Sequence, residues 1–200
     1  MSLTTTAGIT IEVHLGPEQW AAALRAEAAA GLTATPKELP PRWLYDTRGR
    51  ALFDAITELA DYPTRAGRAV LADRAEEIAP LAGADTLVEL GAGTAEKTRL
   101  LLDAVGATGR LRRFVPFDVA EPTLRGTADA VAAEYPDIEV MGVAGDVRRH
   151  LACVLAGGRR LSSAKFRRRR VAAELAAAAL SMTRWSTDPA GDYALSMAAR

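Results

Sequence analysis

The chain has one cysteine, Cys153, and two histidines, His14 and His150. A lone thiol excludes an internal disulfide framework and suits a reducing compartment such as the cytoplasm. With no His–Cys constellation in view, Cys153 reads as a small buried apolar residue. Two histidines so far apart in sequence are too few and too isolated for a metal site, so no metal is expected. Neither sign of charge is in excess, since 25 Lys and Arg balance 25 Asp and Glu among 200 residues. The total therefore gives no reason to expect a nucleic-acid or membrane partner. No apolar run reaches membrane-spanning length, and no signal-peptide pattern opens the chain. Alanine and arginine are plentiful and favour helix. A chain of this length suits one domain with a small appendage and can bury a sizeable core.

Residues 1–10 read as a frayed or edge segment. Gly16-Pro17 opens a helix that Gly31 stops, and Thr35-Pro36 to Pro40-Pro41 forms a stiff connector. Trp43 and Tyr45 lie in an aromatic turn; they either join the small helical part to the sheet or form a lid. Leu52, Phe53, Ile56 and Leu59 predict one face of a helix beginning near Gly49, and Val70, Leu71, Ile78 and Leu81 predict the buried stripe of the next, from about Arg65 to Leu81. Strand and helix then alternate: strand Thr86–Leu90, helix Ala95–Val105, strand Phe114–Val119, helix Pro122–Glu134, strand Ile138–Val143. Such βαβ units predict an α/β fold with a parallel sheet, and right-handed crossovers place these strands in the order 3-2-1. Gly157–Arg160 resembles the approach to a fourth strand. Residues 171–180 read as a helix and 183–197 as a hairpin turning at Asp188–Gly191. The chain divides into an N-terminal helical region (1–82), a nucleotide-binding half (83–160) and a C-terminal helix and hairpin (161–200).

The stretch Thr86-Leu-Val-Glu-Leu-Gly-Ala-Gly-Thr-Ala-Glu-Lys-Thr98 carries the chemistry. A strand ending in an acid, a glycine turn and a helix build a pocket at the carboxyl edge of a sheet. Gly91 and Gly93 can adopt backbone angles closed to other residues and let a ligand approach the main chain. A dinucleotide fingerprint wants a third glycine where Glu96 stands. An acid there sits badly against a pyrophosphate and is tolerable beside a cationic ligand such as S-adenosylmethionine, so methyl transfer is favoured over nicotinamide-dependent hydride transfer. A turn without any ligand is the plain alternative. Three acids, Glu89, Asp118 and Asp146, fall at or just beyond successive strand ends, where Asp118 could accept ribose hydroxyls and Asp146 the adenine amino group. Each alone could equally be a cap or a solvated charge, but all three at successive strand ends favour a ligand. Lys97, placed in the first turn of the following helix, either is solvated or reaches a ligand carboxylate. The Arg167–Arg170 run has no aromatic interleaving and reads as a solvated helix turn.

Four stretches then carry a resemblance: Gly31–Asp46, Val88–Asp103, Phe114–Val119 and Thr187–Asp192. In these the chain resembles the L-histidine Nα-methyltransferases of ergothioneine biosynthesis, a histidine-specific S-adenosylmethionine-dependent family. The resemblance implies a Rossmann-like class I methyltransferase sheet, a substrate domain, and three methyl transfers from S-adenosyl-L-methionine to the α-amino nitrogen of histidine. It implies cofactor binding by Tyr45, Gly91, Lys97, Asp118, Asp146 and Val147, and histidine binding by Tyr62 and Ser163. Family members usually have Phe where Val147 stands, and the segment around Tyr62 is one residue short. No catalytic residue is assigned. A small-molecule substrate and a cytoplasmic monomer are implied.

After Arg160 the chain departs from the family pattern. It passes from Gly-Gly-Arg-Arg-Leu161 directly to Ser-Ser-Ala-Lys-Phe166, a segment resembling a far later part of the family. The expectation is a truncated sheet (3-2-1 plus a C-terminal hairpin) and an internal deletion that removes histidine-positioning elements. Cofactor binding with weak or no histidine methylation follows; the alternative is a non-catalytic cofactor-binding remnant. Without a fourth strand, Thr86–Leu90 becomes an apolar edge, and the hairpin around Trp185 and Tyr193 is expected to cover it.

Overall fold

The computed structural model describes residues 2–6, 8–40, 43, 47–59, 64–146, 149–150, 160–161, 168–177, 179–189, 191 and 194–199. Residues 15–64 form one compact unit, and residues 1–14 with 65–200 form another.

In the larger unit the strands are β1 (Ser2–Thr6), β2 (Ile9–Val13), β3 (Thr86–Leu90), β4 (Arg113–Asp118), β5 (Glu139–Ala144) and β6 (Arg160–Leu161), in the sheet order β1-β2-β5-β4-β3-β6. The central run β5-β4-β3 is parallel and has the expected order. Helices α4 (Arg99–Ala107) and α5 (Glu121–Glu134) are its crossovers, and α3 (Thr64–Ala82) precedes it.

Alternation along the strands divides the core. Leu87, Phe114 and Val140 join Ala75, Ala79, Leu102, Val105, Leu124 and Val131 from the helices. Val88, Val115, Phe117 and Val143 form a second cluster from the alternate positions. Glu89 is two residues beyond Leu87, and Asp118 is four beyond Phe114, so both carboxylates belong to the first set of positions.

Both margins of the sheet differ from expectation. Residues 2–13 form a strand pair that runs past the segment 1–10 read as frayed or edge: β1 is an antiparallel edge strand, in line with the second of those readings, and β2 lies inside it, parallel to β5, with Ile11 opposite Gly142. Alternating β-branched residues in Ile9–Val13 suit a pleated surface, and Ile11 and Val13 are buried. At the other margin β6 pairs in parallel with Thr86 and Leu87, so a two-residue counterpart of the fourth strand is present.

The C-terminal elements are α6 (Arg168–Ala177), β7 (Ser181–Thr187) and β8 (Ala194–Ala199). The hairpin forms as expected, turning where Gly191 N–H donates to Asp188 O at 3.0 Å. It does not extend the main sheet. β7 and β8 pair only with each other among the described residues, which overturns the expected cover for β3. Arg168 and Arg169 are exposed, as a solvated turn requires.

The smaller unit contains α1 (Pro17–Thr33) and α2 (Thr47–Thr57). Trp43 packs edge-on against Trp20 at 4.6 Å, and its indole N–H donates to Glu27 Oε2 at 2.7 Å. Gly31 does not end α1, which runs on to Thr33. Its role is steric: a Cβ at Gly31 would lie 2.0 Å from the carbonyl oxygen of Glu38, where the proline-rich connector folds back. On the expected apolar face of α2 Leu52 and Ile56 are exposed, as is Leu59 beyond its end, and Phe53 is half-buried. Of the stripe expected to be buried on α3, Val70 and Ile78 are buried and Leu81 is exposed.

Candidate functional site

The glycine loop leaves β3 and is tied to the next strand at once. The N–H groups of Gly91 and Ala92 both donate to Phe117 O, at 2.8 and 3.0 Å. Gly91 (φ 76°) and Gly93 (φ 51°) adopt the left-handed conformation for which glycine is suited. Ala95 shares it at φ 53° although it carries a Cβ. This left-handed residue breaks the helical path, so α4 begins at Arg99, four residues later than expected. Lys97 consequently lies in a turn before the helix and not in its first turn.

Asp118 is buried at the end of β4 and organises the loop. One carboxylate oxygen accepts the Gly93 N–H at 3.0 Å and the other accepts the Ala120 N–H at 2.9 Å. Thr127 of α5 donates its hydroxyl to Gly93 O at 2.5 Å, a contact the sequence reading missed. Gly145 N–H donates to Asp118 O at 2.9 Å, which joins the third strand end to the second. Asp146, also buried, follows directly. The structure thus gathers Gly91, Asp118 and Asp146 at the carboxyl ends of adjacent parallel strands, with Lys97 in the loop between β3 and α4. Tyr45, Tyr62, Val147 and Ser163 lie outside the described residues.

Glu89 is the least satisfied member of the group. Its Oε2 is buried and has no hydrogen-bond partner among the described residues. Burial pushes its carboxyl up to about 7 from an ordinary 4.5, and Asp118 adds to the rise; a hydrogen bond from Thr98 and the charges of Lys97 and Arg99 oppose it. The sequence marked Glu89 as one of three strand-end acids that together favour a ligand but gave it no particular contact, because burial cannot be read from one acid in an apolar strand.

The two histidines are not isolated. The ring of His14, just beyond β2, stacks on that of His150 with centroids 5.3 Å apart, because β2 and β5 are neighbours. Among the described residues no group of three potential metal ligands forms. A groove of about 480 Å³ lies between α3 and α4, lined by Ala75, Pro80, Leu100 and Ala104, and includes none of the loop residues named above.

Comparison with known proteins places this geometry in a family. The model of a histidine-specific, SAM-dependent methyltransferase family matches residues 24–162. Histidine N-alpha-methyltransferase of Mycobacterium tuberculosis (strain CDC 1551 / Oshkosh) is 51% identical over 154 residues, covering 76% of this chain and 48% of that protein. The protein of the same name from Mycolicibacterium smegmatis gives the same identity and coverage. "Ergothioneine biosynthesis protein 1" of Schizosaccharomyces pombe is 34% identical over 124 residues, covering 58% of this chain and 16% of that protein. The chain spans about half the length of the two bacterial relatives. By the match over residues 24–162, it belongs to the histidine-specific, S-adenosylmethionine-dependent methyltransferase family.

Proposed function

We propose that the chain binds S-adenosyl-L-methionine at the carboxyl ends of β3, β4 and β5 and serves in methyl transfer to a small amine, with L-histidine the acceptor suggested by its relatives. The observation that carries the reading is the orphaned Glu89 Oε2 beside the glycine loop. A buried carboxylate oxygen without a donor fits a ligand that brings a cation and hydrogen-bond donors. Space supports it too, because a Cβ built at Gly91 would meet nothing within 4 Å. When bound, the cofactor supplies an electrophilic methyl group on a sulfonium.

This chain's residues bind and orient. Asp118 already accepts two backbone N–H bonds. Its carboxylate would also accept the ribose hydroxyls. Asp146 would receive the adenine amino group, with Val147 beside it, and Lys97 would pair with the carboxylate of the methionine tail. Gly91 admits the ligand to the main chain. By the resemblance, Tyr45 would take part in cofactor binding, and Tyr62 and Ser163 in histidine binding.

Transfer further requires a neutral amine held in line with the methyl, and such positioning is worth roughly 7–11 kcal/mol of barrier. The family match ends at residue 162, shortly after the fourth strand begins as two residues. That favours a second reading, cofactor binding without efficient turnover. Calorimetric titration of the chain with S-adenosylmethionine, alongside a methyl-transfer assay on L-histidine, tests both. Binding with slow or undetectable methylation is expected. Absence of binding refutes the proposal, and efficient methylation refutes the second reading.

A further inference from the structure

His150 is wedged against the turn that joins two acids of the cofactor site. Its Nδ1 accepts the backbone N–H of Asp146 at 3.0 Å, so the neutral ring carries its proton on Nε2. The His150 backbone N–H donates back to Asp146 O at 2.8 Å. Gly145 leaves room for the ring, since a Cβ there would lie 2.9 Å from Nδ1 and 3.2 Å from the His150 Cβ. The opposing imidazole is fixed by the sheet: Val13 pairs with Ala144, and His14 N–H donates to Ala144 O at 2.9 Å. Glu12 Oε2 lies 3.1 Å from His14 Nε2. Among the described residues, the charged or titratable groups around the His150 ring are His14 from the β2 side, with Glu12 behind it, and Asp146 and Arg149 from its own turn. Burial and His14 hold the ring below its ordinary pKa, with Asp146 opposing.

We propose that His150, braced by His14, is a positioning residue for the nucleoside end of the cofactor site: its neutral ring holds the Gly145–Asp146 turn, and protonation releases it. The proposal rests on the cofactor reading above. A doubly protonated ring presents Nδ1–H to the Asp146 N–H, and two donors cannot bond. The cation would also stack on His14. Because folding favours the neutral ring, the effect is absent near neutral pH and sets in as pH falls through the midpoint of His150, weakening ligand binding up to tenfold per pH unit.

The test uses the full chain, with S-adenosylhomocysteine as the probe, titrated between pH 5 and pH 8, and the 15N-resolved amide of Asp146 followed over the same range. His150→Asn keeps an oxygen close to the position of Nδ1 but does not titrate. The ratio of wild-type to His150→Asn dissociation constants should be near one at pH 7.5 and rise in acid; taking the ratio removes the titration of Glu89 common to both. The Asp146 amide should shift with the His150 ring, and His14→Ala should raise the ring's midpoint. A constant ratio, or an Asp146 amide indifferent to the ring, overturns the proposal, and the wild-type amide alone decides should the variant not fold. No binding at any pH overturns the cofactor reading and this proposal together, whereas pH-independent binding overturns this proposal alone.

Discussion

Replacing Glu89 by glutamine should change how stability depends on pH. The Glu89 carboxyl is held up at about 7 in the fold against 4.5 in an ordinary setting, chiefly by burial. A raised folded-state pKa gives stability that is fully present below about 4.5 and lost as pH rises through about 7. At about 1.4 kcal/mol per pH unit, the whole displacement is worth about 3 kcal/mol, of which about 2 falls between pH 5 and pH 8. For a chain of this size, about 2 kcal/mol moves Tm by about 4–8 °C. Glutamine keeps an oxygen for Thr98 and cannot ionise, so this part of the pH dependence disappears. Thermal unfolding of wild type and E89Q at pH 5, 6, 7 and 8 is the assay. The difference in Tm between the two should swing by about 4–8 °C in favour of the variant from pH 5 to pH 8. Parallel profiles would refute the argument, because they would mean that the carboxylate is solvated or partnered.

Three further outcomes are expected. Asp118→Asn leaves one oxygen for the backbone donors and removes the charge, so S-adenosylhomocysteine should bind about 10- to 100-fold more weakly by calorimetry, in keeping with about 1.5–3 kcal/mol for a charged hydrogen bond. Gly31→Ala places a Cβ 2.0 Å from Glu38 O, which must shift; a loss of about 1–3 kcal/mol should appear in urea unfolding. Phe114→Ala empties a fully buried ring site in the main cluster and should cost about 3–5 kcal/mol by the same measurement, enough to unfold a marginal domain.

The parts that were legible depend on local chemistry or on handedness. Gly91 and Gly93 announce a turn by themselves, and the right-handed crossover fixes the β5-β4-β3 order once three strands and two helices are recognised. Asp118 and Asp146 follow, because an acid at the end of a parallel strand has few other places to go. What failed depends on distant partners. Nothing in Ile9–Val13 says that its neighbour is Val140–Ala144, so the stacking of His14 on His150 was invisible as well. The apolar stripe of α2 was read correctly as amphipathic, but periodicity shows what a face could bury and not whether it does so. The hairpin could satisfy its own ladder, which removed the need for the edge of β3. The start of α4 was misplaced because alanine is a strong helix former, and only the backbone reveals Ala95 in a left-handed turn.

The pairing of β2 with β5 bears on the order in which the molecule is made. Ile9–Val13 are made well before their neighbour Val140–Ala144, which lies far along the chain. Until then the nascent segment is an unsatisfied, β-prone ribbon that must stay out of wrong associations, and its closure is a slow, non-local event. Substitutions within Ile9–Val13 would therefore disturb a late-docking piece of the fold.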